Sequence, residues 1–170
     1  QILNEVENQT VDIGFTVRQR ASKNLRIEPI FREKHYLLAN LDEEKELLDP
    51  RSLNPNKEIL TDWSMDYMMW HDAYLGSNMH PLATIDTATQ LSAFMLEGAW
   101  CIVPESAVTF LEKNCRLNGS TVRTYRIPSP PPERICYKVT NRSPRFSRAE
   151  IIERFERQLT NYLKEKSLSM

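Results

Sequence analysis

The chain has 170 residues, which suits one domain or two small lobes and suffices to bury a core without disulfides or metal. Its 41% hydrophobic and 26% charged residues are an ordinary globular mix, which excludes a disordered or collagen-like chain. Lys and Arg number 22 against 23 Asp and Glu, a net charge of −1, so there is no basic excess to grip phosphates and the chain alone is not expected to bind DNA.

Ile2, Leu3 and Val6 recur at helical spacing, so the chain opens inside a helix. Val11, Ile13, Phe15 and Val17 then alternate as a short strand, and the polar stretch 18–24 reads as a loop. Residues 25–31 and 36–39 read as extended, and the charged run 42–46 as a solvated helix end or loop. Asp49-Pro50 and Asn54-Pro55-Asn56 are turn signals before a short strand at 58–60. Thr61 or Ser64 can cap a following helix, which Gly76 ends. Trp63, Tyr67, Trp70 and Tyr74 form an aromatic stripe there, read as core packing or as a ligand platform.

A strand is expected at 81–85. A capping box at Thr87 and Gln90 opens a helix with Ala88, Leu91, Phe94 and Met95 inward. The unbroken apolar run 99–103 reads as a strand covered on both faces in a parallel sheet, and Pro104 opens another helix. Strands at 122–127 and 135–139 flank the polyproline crossing Pro128-Ser129-Pro130-Pro131-Pro132. Ser147 and Glu150 form a second capping box before a long final helix striped by Ile151, Ile152, Phe155, Leu159 and Leu163. Alternating strands and helices give an α/β fold with largely parallel strands.

Motifs for covalent chemistry are sparse. The glycines are Gly14, Gly76, Gly98 and Gly119, so no Gly-rich phosphate loop can form. His35, His71 and His80 lie in separate segments, and His71-Asp72 reads as a surface pair more readily than as an oriented base. Cys101, Cys115 and Cys136 have no C-x-x-C spacing and are expected reduced and structural. Three sequons, beginning at Asn8, Asn118 and Asn141, are discounted as chance. The expectation is a protein that is not an enzyme and uses no cofactor and no metal. No apolar run approaches the ~20 residues of a membrane span. The start, Gln-Ile-Leu-Asn-Glu, lacks both a Met and a leader pattern, so a trimmed chain or excised domain of a cytoplasmic protein is expected.

The opening Ile2-Leu3-x-x-Val6-x-x-Gln9-x-Val11-Asp12-Ile13-Gly14-Phe15 resembles the L-L-x-x-L-x-x-G-x-L-D-L-A-I pattern of LysR-type regulators, in their effector-binding domain. The segment 25–40, with its Glu-Pro-Ile and Tyr-Leu-Leu phrasing, is similar to the strand that enters the second lobe of that family. Asp86-Thr87, then Trp100-Cys101-Ile102-Val103-Pro104, resembles the family's G-x-G-I-A-L-L-P strand and turn. The resemblance spans nearly the whole chain. The chain departs from the family at Gln9, where glycine is usual, at Glu97 and Ala99 around Gly98, and at Trp100, where a smaller aliphatic is usual.

The resemblance implies two Rossmann-like lobes joined by two crossover segments, type-2 periplasmic-binding-protein-like, with the first lobe incomplete at the N-terminus. Residues 1–24 would be part of lobe I, 25–127 lobe II, and 128–170 the return to lobe I. The winged helix-turn-helix, the linker helix and the first strand and helix of lobe I would precede these residues. The function implied is a small-molecule-sensing regulatory domain of a transcription factor. Its effector, anionic or aromatic, would bind in the inter-lobe cleft and signal allosterically to the DNA-binding domain. DNA would be a partner only through that N-terminal domain, no membrane is expected, and the assembly would be a homodimer or homotetramer. Effector-binding residues are expected at Thr16, Thr61, Asp62, Trp63, Ser64, Trp100, Cys101, Val103 and Pro104, because helix N-termini and hydroxyls suit an anion and indoles suit a planar ligand. The alternative is an extracytoplasmic solute-binding protein of similar two-lobed plan. A small α/β enzyme comes third.

Overall fold

The computed structural model describes residues 1–165. Along the chain run α1 (Ile2–Glu7), β1 (Ile13–Thr16), β2 (Leu25–Glu33), β3 (His35–Ala39) and β4 (Ile59–Leu60). These are followed by α2 (Met65–Leu75), β5 (Ala83–Thr84), α3 (Ala88–Leu91), β6 (Trp100–Pro104) and α4 (Glu105–Leu117). The chain continues with β7 (Arg123–Tyr125), β8 (Arg134–Asn141) and α5 (Phe146–Glu165). Two compact units result: one from Gln1–Arg32 together with the part that starts at Ile135, the other from Glu33–Arg134.

In the first unit the sheet order is β1-β8-β2, with β1 antiparallel to β8 and Ile13 opposite Thr140. Val6 is fully buried against Leu25 and Val139, with Ile2, Leu3, Val11 and Ile27 around them. Gly14 makes this packing possible, because a Cβ there would stand 2.6 Å from Ile2 Cγ1. Gln9, which replaces the family's glycine, takes the left-handed conformation itself, with φ of 56°. Its amide donates to the Ser143 carbonyl at 3.1 Å, so the turn keeps the geometry glycine would give it and bears the strain. The capping box expected at Ser147 does not form. Phe146 is already helical, placing Ser147 inside α5 rather than at its cap.

In the second unit β3 is central, in the order β6-β3-β7. Both neighbours are antiparallel to it, pairing His35 with Pro104, Ala39 with Trp100, and Leu37 with Tyr125. This corrects the expectation of largely parallel strands. Parallel pairing is confined here to β4 with β5 and to isolated bridges such as Glu58 with Trp100. Burial on both faces erases the polar alternation of a strand whatever its direction, so the run at 99–103 carried no signal of orientation. Around this sheet Leu37, Leu38, Ile59, Tyr67, Leu91, Ile102, Leu111 and Tyr125 form the main core.

Helix α2 begins as expected. Ser64 is its N-cap, with Oγ accepting from the Tyr67 N–H at 3.1 Å, and Gly76 closes it at φ 107°. The box at Thr87 and Gln90 does not form: the Thr87 hydroxyl pairs with that of Thr89, and α3 is a single turn. At the second departure from the family pattern, Gly98 supplies the positive φ (75°) and its N–H donates to the Asn40 carbonyl.

Candidate functional site in the second unit

Trp63 lies just before α2, and its Nε1 donates to the Ile102 carbonyl at 2.6 Å, which pins the indole to β6. Beside it α4 starts directly after Pro104, and between them opens a cavity of about 370 Å³. Trp63, Pro104, Ala107 and Phe110 make its apolar wall, and Thr89 and Arg134 contribute polar groups. The Arg134 guanidinium stands 5.5 Å from the Trp63 ring centroid, a cation over an aromatic face.

Arg134 is fixed from behind. Its Nε and Nη2 both donate to Glu33 Oε1, and the Glu33 side chain is almost fully buried. The other carboxylate oxygen, Oε2, accepts from the Ser106 backbone N–H at 2.9 Å, in the first turn of α4. The positive end of α4 is thus occupied by the chain's own carboxylate. Glu33 thereby satisfies one of the open N–H groups of the helix and orients the guanidinium. The resulting arrangement, a cation stacked on an indole beside apolar walls, suits a planar anion.

The residues expected at the site are distributed unequally. Trp63 and Pro104 line the same cavity although they are 41 positions apart in the sequence. Asp62 is exposed beside them. Ser64 is occupied as the cap of α2. Thr61 is buried, and its hydroxyl has no hydrogen-bond partner. Trp100, Cys101 and Val103 are fully buried in the core. The Trp100 indole N–H donates to the Asn54 carbonyl, and the Cys101 thiol lies 3.8 Å from the Met95 sulfur. Burial pushes that thiol far up from its ordinary range, so it stays protonated. Thr16 belongs to the other unit and closes a local turn with the backbone of Arg18. Sequence reasoning missed Arg134, Glu33, Thr89 and Phe110. A lone Arg and a lone Glu at strand ends carry no spacing signal.

A second buried polar cluster joins Glu58, on the edge of β4, to His71 of α2. His71 Nε2 stands 2.9 Å from Glu58 Oε1 and its Nδ1 3.3 Å from Asp72 Oδ1, with both His71 and Glu58 almost completely buried. Burial alone would lower the His71 pKa, but the bond to Glu58 and its charge, joined by Asp72, outweigh that and raise it. Among the described residues no group of His, Cys, Asp and Glu is arranged to hold a metal ion, and no helix is long and apolar enough to cross a membrane.

The architecture is the mixed α/β, type-2 periplasmic-binding-protein-like fold of regulatory domains of LysR-type transcription regulators. The effector-binding domain of QuiR in complex with shikimate matches with a TM-score of 0.69 at 13% identity, over 96% of this chain and 77% of that one. The regulatory domain of MexT, a transcriptional activator in Pseudomonas aeruginosa, matches at 0.68 and 12%, over 93% and 77%. A mutant of Corynebacterium glutamicum OxyR matches at 0.67 and 16%, over 96% of this chain and 51% of its own, so the present chain spans about half of that regulator. The resemblance read from the sequence is thus met in the fold. No protein-family model matches the chain, and no curated protein matches it in sequence.

Proposed function

We propose that this chain is the small-molecule-sensing regulatory domain of a LysR-type transcription regulator. In this reading the two compact units are the two lobes, the crossovers run through β2 and through the polyproline segment into β8, and effector occupancy favours one state of the domain over another. The observation that carries the reading is the Arg134 guanidinium, held by Glu33 and stacked over Trp63 at the edge of a mostly apolar cavity. Its ligand is a small carboxylate with a flat face, bound by Trp63, Pro104, Thr89 and Arg134. DNA binding and dimer formation belong, on this proposal, to the longer regulator, whose neighbours include a full-length CbnR solved with its target DNA.

The test is thermal denaturation of the chain with a panel of small carboxylates, beginning with shikimate, the ligand named for the QuiR domain. A binder should raise Tm in proportion to its excess over Kd. Arg134→Lys should keep the charge but lose much of the stacking and the fork, weakening that binder about tenfold. A carboxylate that binds equally well to the parent, Arg134→Lys and Trp63→Leu would overturn the assignment of this pocket.

A further inference from the structure

A second cavity in the same unit shares no lining residue with the Trp63 pocket and has its own unsatisfied polar lining. It encloses about 200 Å³ between the start of β3 and the polyproline crossing. That is somewhat more than the ~150 Å³ that accommodates a benzene ring in a protein interior. His35 forms part of its wall and is 3% exposed. The imidazole is stacked on Tyr67, with centroids 5.4 Å apart. The Pro132 carbonyl approaches one ring nitrogen without closing a well-aligned hydrogen bond, and the other nitrogen has no partner. A buried imidazole left in this state is costly unless something in the cavity satisfies it.

The rest of the lining narrows the chemistry. Tyr36, Ile127 and Pro131 provide apolar surface, and the prolines give the wall a fixed backbone with no N–H groups of its own. At the mouth stand Lys34, Arg126 and Glu133. Arg126 is engaged by Glu46 at 2.8 Å, whereas exposed Lys34 makes no ion pair among the described residues. Burial, with the nearby Arg134 charge, holds His35 down to about 4, so at neutral pH the ring is uncharged and offers one donor and one acceptor. We infer that this cavity is a second ligand site, for a compact ring-sized monocarboxylate carrying a hydroxyl. The carboxylate lies at Lys34 and the hydroxyl bonds a His35 ring nitrogen.

The experiment follows the imidazole nitrogen and ring-proton resonances of His35 by NMR during titration with 3-hydroxybenzoate, benzoate and phenol. Each of the last two lacks one of the two groups the site recognises. The expected result is a shift at His35 with 3-hydroxybenzoate, and affinity about tenfold above that of either control, the value of one charge-assisted or buried hydrogen bond. Lys34→Gln, an exposed change that leaves the core intact, should lower the affinity of both carboxylates and leave phenol unchanged. Trp63→Leu should leave all three unchanged, which separates this site from the pocket of the proposed function. Absence of any His35 shift at millimolar 3-hydroxybenzoate, shifts that vanish in Trp63→Leu, or indifference to Lys34→Gln would each overturn the inference.

Discussion

Glu33 and Arg134, 101 positions apart in the sequence, are the first and last residues of the second compact unit and are joined by a two-pronged ion pair. The pair therefore clasps the unit where its chain enters and leaves. Because Glu33 also receives the Ser106 N–H, one carboxylate ties together the end of β2, the start of β8 and the first turn of α4. Its side chain is 1% exposed and that of Arg134 16%, so each charge depends on the other for compensation. Removing one partner of such a pair strands the second charge, whereas replacing both by apolar groups of similar volume need not. Arg134→Met should cost about 3 kcal/mol in urea denaturation, and Glu33→Leu combined with Arg134→Met should recover most of it. An additive loss in the double variant would show that the clasp carries no coupling.

Stability against pH should bear the marks of two histidines working in opposite senses. His35 has a folded pKa of about 4, depressed by burial below the ordinary 6.5. Its contribution is complete above pH 6.5 and is lost as pH falls from there toward 4, on the order of 3 kcal/mol. His71 is raised instead, so the support it draws from Glu58 is complete below 6.5 and fades as pH rises through its folded pKa. In a series of urea melts, His35→Phe should flatten the acid limb between pH 6.5 and 4.5, most cleanly in its upper half, before ordinary carboxylates begin to titrate. Glu58→Gln should flatten the fall that sets in as pH rises above 6.5. A parent whose stability does not change between pH 6.5 and 4.5 would contradict the burial of a neutral His35.

Much of the second unit was legible because its signals are local. Pro104 after an apolar run, Ser64 three residues before an accepted N–H, and Gly76 at a positive φ each announce an element boundary within a few residues. The phase of β6 was not legible. Trp100, Cys101 and Val103 are all buried, so a strand with two covered faces gives no reason to aim any one of them at a ligand. Likewise the cation of the site could not be found from spacing. Arg134 meets Trp63 and Glu33 only once the sheet is formed, and no short motif encodes contacts between residues so distant in sequence.

Gln9→Gly should stabilise the first unit. The residue holds φ at 56°, where an L side chain costs about 1 kcal/mol that glycine does not incur. The exposed bond from its amide to Ser143 offsets only part of that gain. A net increase of about 0.5 kcal/mol is expected from the denaturation midpoint at unchanged m, and a loss would mean that the Ser143 contact outweighs the backbone strain.

Gly14→Ala should act in the opposite direction. The new methyl would meet Ile2 Cγ1 at 2.6 Å and Val6 Cγ2 at 3.0 Å, so α1 has to move off β1. The expected cost is about 1–2 kcal/mol, the usual range for an overpacked contact. Ile2→Ala should relieve part of it in the double variant, since Ile2 supplies the nearest atom, and failure of that rescue would place the strain elsewhere.

Ser64 decides between two uses of one hydroxyl. It stands next to Trp63 of the proposed effector pocket, yet its Oγ accepts from the Tyr67 N–H at 3.1 Å and its backbone is extended, with φ −173° and ψ 166°, as an N-cap requires. The cap alone predicts that Ser64→Ala lowers stability by about 1 kcal/mol while leaving the affinity of a pocket-binding carboxylate within twofold. Ser64→Asp should restore the stability, because a carboxylate accepts the same N–H and suits the positive end of α2. The same Asp would stand close to the anion and weaken binding by repulsion, so stability and affinity should part in Ser64→Asp and not in Ser64→Ala. Melting curves and carboxylate titrations on the two variants read both quantities. An affinity loss of about fivefold or more in Ser64→Ala, beyond its stability cost, would show that the hydroxyl also touches the ligand.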